Sequence, residues 1–227
     1  MTLRFHVADA MPLEIEPKQL VIAGWTGRDR AAIDHHIEEL AAIGVPRPSS
    51  VPLYYRVAAS LLTQAARIEV LGLGSSGEVE PVLVRARGRW WLSVGSDHTD
   101  REAERAGVAL SKQLCAKPIA ASAWAWDDVA ARADTIALRS EIFEHGGWVR
   151  YQDGTMSSIR PLEELVAGGP SDVPVDDGLV LFCGTLGALP DASGRGVRPA
   201  PRMRLQLIDG DRTLTHEYAT TTLPQVA

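Results

Sequence analysis

The chain has 227 residues, of which 45% are hydrophobic and 23% charged, and a formal net charge of −6. That length can bury a core without disulfides or structural metals, and the acidic balance argues against a nucleic-acid partner, which needs a basic face. Cys115 and Cys183 are the only cysteines and form no CxxC pair; charges interrupt the apolar stretches near the N-terminus, and no run reaches the roughly 18 apolar residues of a membrane span, so the expectation is a cytoplasmic protein without a membrane partner.

In chain order, residues 3–7 and 17–23 read as strands, the second ending at Gly24. Thr26, with Asp29 three residues on, has the form of a capping box for a helix over about 28–43, stopped by Gly44 with Pro46 beyond. A Pro- and Ser-rich loop at 46–52 precedes strands at 51–57, 68–71, 77–84 and 90–94. A second capping box, Thr99 with Glu102, opens a helix through about 110–114. A short helix near 127–133 and a strand at 135–142 come next. Residues 148–151 followed by Gly154 read as a hairpin turn, 161–167 as a helical turn and 179–183 as a buried strand. Asp209-Gly210 marks a tight primed turn between strands at 202–208 and 213–218. The stretch 190–201 is the most loop-like and a candidate lid. Short strands outnumber short helices, so the expected fold class is α+β, mainly β, in a single domain spanning residues 1–227 with the strands of 1–24 packed on it.

The chemistry begins with Glu78 and Glu80. Two residues apart on a strand, they share a face, and Asp97 follows the next strand. Oxygen donors of this kind suit hard divalent cations. Taken alone, a Glu-x-Glu is more often a solvated strand face. His36 borders the apolar stripe Ile33, Ile37 and Leu40 of the first helix, with Glu39 three residues on. A carboxylate beside an imidazole raises its basicity, as a general base for water requires, although a surface His–Glu pair gives the same spacing, and His35 with Glu38 is the alternative on the wetter face. Arg101 has the fork that clamps a carboxylate and Lys112 the point charge that steadies an enolate oxygen; each also reads as a solvated helix charge. Gly184, Thr185 and Gly187 follow a buried strand, where backbone amides and a hydroxyl suit an anion, or where a plain strand-to-loop turn would place them.

Taken in order, these motifs resemble the fumarylacetoacetate hydrolase superfamily: His36-Ile37-Glu38-Glu39, Glu78-Val79-Glu80, Asp97-His98-Thr99-Asp100-Arg101, Lys112, and Cys183-Gly184-Thr185-Leu186-Gly187. The resemblance covers roughly residues 20–220 and is closest to a little-characterised bacterial branch. It implies a mixed β-sandwich roll with short peripheral helices, usually a homodimer. It further implies Mg²⁺, Mn²⁺ or Ca²⁺ held by Glu78, Glu80 and Asp97, with His36 as base, Glu39 as its orienter and Lys112 as enolate stabiliser. Arg101, Gly184 and Thr185 would contact the substrate, a small 2-oxo or 2,4-dioxo acid whose C–C bond is hydrolysed. The alternatives on the same site are decarboxylation, tautomerisation or hydration of a 2-oxo acid, or a non-catalytic binding homologue. The sequence departs from the pattern at Ser96, at Thr99-Asp100-Arg101-Glu102, at Cys183 and Leu186, and at Trp25-Thr26, where relatives carry an Asn-Tyr ahead of the histidine.

Overall fold

The computed structural model describes residues 1–8, 11–42 and 47–226, without the side chains of His36, Glu39, Leu40 and Ala42. Its strands are β1 (Leu3–Phe5), β2 (Leu13–Ile15), β3 (Gln19–Gly24), β4 (Leu53–Val57), β5 (Arg67–Leu71), β6 (Val79–Ala86), β7 (Arg89–Ser96), β8 (Ala137–Glu144), β9 (Gly147–Thr155), β10 (Leu179–Phe182), β11 (Arg202–Asp209) and β12 (Arg212–Leu223). The α-helices are α1 (Arg30–Ala42), α2 (Val108–Gln113) and α3 (Leu162–Ala167). Among the described residues no helix is long and apolar enough to cross a membrane.

Two sheets dominate. The first runs Trp124–Ala125, β7, β6, β10, β3, β4, antiparallel except where β10 meets β3. The second runs β9, β8, β11, β12, β5, antiparallel except where β12 meets β5. Their facing sides share one core, in which Val21, Leu83, Leu92 and Val94 of the first meet Leu138, Ile142, Leu205 and Leu207 of the second. The other face of the first sheet, with Leu20, Ile22, Val82, Val84 and Phe182, is sealed by Leu3, Phe5, Leu13 and Ile15 of the β1–β2 pair. Burial on both faces explains why β3, β6 and β10 read as near-continuous apolar runs. The second sheet is covered on one face only, so β8 and β11 alternate buried and half-exposed residues.

Several local expectations shift. Asp29, not Thr26, caps α1, its Oδ1 accepting the amides of Ala31 and Ala32 at 2.9 and 3.1 Å. Likewise Asp100, not Thr99, receives the amides of Glu102 and Ala103, both at 3.0 Å. The helix expected there is split: a 3₁₀ turn, Ala103–Arg105, is separated from α2 by Gly107 at φ 155°. The first hairpin turns earlier, at His145-Gly146, because both adopt the positive φ that a two-residue primed turn demands. Residues 190–201 are pinned rather than lid-like. Arg198, buried beneath them, pairs with Glu144 at 2.9 Å and donates to the carbonyls of Leu189 and Gly196.

Candidate active site

The charged cluster forms where the ends of β6, β7 and β10 meet. Glu80 lies on β6 and Glu78 just before it; Asp97 follows β7, its amide bonded to the Glu78 carbonyl at 3.0 Å. This antiparallel pairing brings the acids together, although they are far from equivalent. Asp97 is 0% exposed and Glu80 2%, whereas Glu78 is part-exposed and lies 3.2 Å from Arg101 Nη2.

Asp97 is bracketed by two ammonium groups. Lys112 Nζ donates to Oδ2, and Lys117 Nζ lies 3.1 Å from Oδ1. Burial alone would push Asp97 up, yet Lys112 and Lys117 reverse this and hold its carboxyl well below the usual range. Glu80 goes the other way. Burial and then the Asp97 charge, with a further push from Glu78, raise it well above an ordinary carboxyl, against Lys112 and the Gly184 amide that donates to its Oε2 at 2.8 Å. Burial lowers Lys112, but Asp97, Glu78 and Glu80 more than compensate and raise it. Arg101 follows the same pattern, its burial outweighed by Glu78 and Glu104. It donates Nε to Ser76 at 2.7 Å and Nη1 to Glu104 at 2.8 Å, while its buried Nη2 faces Glu78 Oε2 at 3.2 Å as an ion pair without hydrogen-bond geometry.

The Gly184 amide is spent on Glu80, so its first role is to hold that carboxylate. Only glycine fits: φ is +98°, and a Cβ would sit 1.7 Å from Thr26 Oγ1. Thr185 donates its hydroxyl to the Val79 carbonyl at 2.7 Å and accepts from Gln152 Nε2 at 2.8 Å, which makes it a brace for the loop. His36 and Glu39 lie outside the described side chains. In the alternative pair, Glu38 also meets Arg47 at 3.0 Å, both side chains being exposed.

Sequence reasoning assigned no chemical role to four further residues around the cluster. Lys117 is 0% exposed and also donates to the His98 carbonyl; its signal was a lysine inside the apolar run CAKPIAA. Tyr55 lies beneath Lys112, whose Nζ is 5.4 Å from the ring centroid. His98 bonds Ser75 at 3.0 Å and Tyr218 at 2.9 Å, and burial, then Lys117, push it down to about 3, so it stays neutral. Gln152 accepts the Val79 amide at 2.9 Å and donates to the Leu186 carbonyl at 2.6 Å, tying the second sheet to the site loop. Nothing in the local pattern marks His98 or Gln152, because what defines them is distant in sequence.

Among the described residues no three acid, histidine or cysteine side chains stand together as a ready metal cage. The donor set nevertheless suits a hard divalent ion. Burial first, and then the Asp97 charge, disfavour the ionised form of Glu80, and Arg101, Lys112 and Lys117 balance the acids. A divalent ion replacing part of that cationic charge would do the same.

A family model described as "Protein of unknown function (DUF2848)" matches residues 23–218. No curated protein sequence matches the chain. Among solved structures, 2-keto-3-deoxy-D-arabinonate dehydratase complexed with magnesium and 2,5-dioxopentanoate is 14% identical, with a TM-score of 0.65 over 97% of this chain and 79% of that one. A putative HpcE protein from Mycobacterium smegmatis is 21% identical, with a TM-score of 0.60 over 91% and 74%. The 4-oxalocrotonate decarboxylase from Pseudomonas putida G7, complexed with calcium and acetate, is 13% identical, with a TM-score of 0.51 over 89% and 76%. At these identities the likeness establishes the fold, and the mainly β, fumarylacetoacetate hydrolase-like architecture expected from the sequence is borne out.

Proposed function

The chain belongs to the DUF2848 family, and from that premise we propose that it is a divalent-metal-dependent enzyme of the fumarylacetoacetate hydrolase superfamily acting on a small 2-oxo acid. The reaction assigned to it is hydrolysis of the C–C bond between the two carbonyls of a 2,4-dioxo acid. Residues 1–227 would act as one domain, paired in a homodimer. The observation that carries the proposal is the pair of buried acids Glu80 and Asp97, with part-exposed Glu78 at their edge, balanced by Arg101, Lys112 and Lys117. Burying that much charge is costly, and such clusters persist chiefly where chemistry uses them. The names of the structural neighbours, a dehydratase and a decarboxylase found with magnesium or calcium, are in keeping with it.

Glu78, Glu80 and Asp97 would hold Mg²⁺, Mn²⁺ or Ca²⁺. Bound there, the ion supplies Lewis acidity toward a 2-oxo group. Arg101, whose Nη2 is ion-paired with Glu78 at 3.2 Å without hydrogen-bond geometry, would receive the substrate carboxylate on its guanidinium face. Lys112, the more exposed of the two lysines on Asp97, would stabilise the negative charge that develops as the enolate forms. His36, oriented by Glu39, would take a proton from the attacking water. Gly184 and Thr185 shape the floor by fixing Glu80 and the loop.

A second reading uses the same acids for decarboxylation, dehydration, hydration or tautomerisation of a 2-oxo acid, which needs the acids and Lys112 but not the His–Glu base. A panel of acylpyruvates, fumarylpyruvate and oxaloacetate assayed with Mg²⁺ tests both. Turnover of an acylpyruvate that is lost in His36→Ala supports hydrolysis. Oxaloacetate decarboxylation that survives His36→Ala supports the lyase reading, and a silent panel defeats both.

A further inference from the structure

Resting on the metal-site reading above, we infer that Lys117 is a positioning residue that locks one oxygen of Asp97, leaving the other to be exchanged between Lys112 and the divalent ion. The two lysines make the same kind of contact with one carboxylate but differ in freedom. Lys112 reaches Oδ2 from α2 and keeps 9% of its side chain exposed. Lys117 approaches Oδ1 with 0% exposure, and its ammonium has a second acceptor in the His98 carbonyl. Its backbone is also clamped: Lys117 and Pro118 pair with Leu62 and Thr63, and the Ile119 amide donates to the Thr63 carbonyl at 2.8 Å.

An incoming cation therefore meets one oxygen whose ammonium partner can swing away and one whose partner has nowhere to go. Moving Lys117 would leave a buried charge and a buried carbonyl without partners, a heavier loss than moving Lys112 toward solvent. Asp97 would offer Oδ2 to a divalent ion, Lys112 would give up that contact, and Lys117 would remain on Oδ1, holding the carboxylate plane. Loading the metal and freeing the enolate-stabilising ammonium become one event. Lys117 touches neither substrate nor ion, so its effect on chemistry runs entirely through Asp97.

Two measurements decide it. In protein carrying ¹⁵N at the lysine Nζ, ammonium-selective NMR during a Mg²⁺ titration should show one solvent-protected signal that stays in place, Lys117, and a second, absent from Lys112→Met, that moves. A Lys117 signal that shifts as far as that of Lys112, or that vanishes into fast exchange, overturns the inference. Mn²⁺ affinity by calorimetry should rise about 10-fold in Lys112→Met, which removes a competitor for Oδ2, and fall about 10-fold in Lys117→Met, which removes the outer support of a ligand. Changes of the same sign in the two variants overturn it as well. Should Lys117→Met not fold, the NMR titration of the natural sequence still separates a fixed Lys117 from a displaced one. Natural-sequence protein that binds no Mn²⁺ removes the metal reading and this inference together, whereas binding with Lys117 displaced removes only the inference.

Discussion

The two sheets solve opposite problems with the same polypeptide. The first is apolar on both faces, yet the ends of its strands carry the buried charges Glu80 and Asp97, with Lys117 brought against them from a neighbouring two-residue ladder. The second is apolar on one face and spreads its charges over the other, where Arg204 reaches Glu141 at 3.0 Å and Glu217 at 3.1 Å and lies 4.2 Å from the Trp148 ring centroid. Burial makes each charge of the first sheet dependent on a specific partner, because solvent cannot substitute for a missing one. Exposure makes the pairs of the second sheet interchangeable with water. Charge count alone would not separate a working site from a surface; the dielectric around the charge does.

The sharpest way to break this comparison is to remove one acid from each sheet. Glu80→Gln should weaken Mn²⁺ binding by about 100-fold or more and abolish turnover, while Glu217→Gln leaves the affinity within about twofold, both by calorimetry. Comparable losses in the two would sink the distinction. At pH 7, metal-free Glu80→Gln should also resist urea better than the parent, since a carboxyl pushed up by burial and by Asp97 opposes folding when ionised. Next in size, Leu205→Ala removes a fully buried side chain from the shared core and should cost about 2–5 kcal/mol in urea unfolding, leaving Mn²⁺ affinity unchanged in the folded protein. Gln152→Ala, which cuts the strut between the sheets, should cost about 1–3 kcal/mol, because the Val79 amide and Leu186 carbonyl lose their partner. An unchanged midpoint there would mean that water fills the gap.

The smallest effect belongs to Asp209, held at about 2 by Arg132 and Arg212. Its folded pKa lies below the unfolded value, so its contribution is present above about pH 4 and lost as pH falls toward about 2. With both arginines nearly half exposed, Asp209→Asn should cost under about 1 kcal/mol at pH 7 and only a small fraction of that near pH 2, read from thermal midpoints at the two values.

What was legible in the sequence follows from the same contrast. Near-continuous apolar runs such as LVIAG and GLVLFC announce strands buried on both faces, and RMRLQLID announces one buried on a single face. Glu78, Glu80, Asp97 and Lys112 were singled out by motif order, and the structure brings Lys112 onto Asp97 beside Glu80, with Glu78 at the edge on Arg101. The caps were misread because threonine and aspartate compete for the same local amides. Asp29 and Asp100 win them, leaving Thr26 buried against Gly184 and Thr99 bonded to the Asp97 carbonyl at 3.0 Å. The hairpin at His145-Gly146 lacks the Asn-Gly or Asp-Gly that signals such a turn. Lys117, His98 and Gln152 owe their importance to neighbours 15 or more positions away, which local periodicity cannot express.

Arg198 carries one further consequence. By gathering the Glu144 carboxylate and the carbonyls of Leu189 and Gly196 around a single guanidinium, it gives a stretch without strands or helices an internal fastener. Irregular backbone and freedom of movement are thus separate properties in this chain: a protease probing residues 189–198 should find them as resistant as the neighbouring hairpin until that one cation is removed.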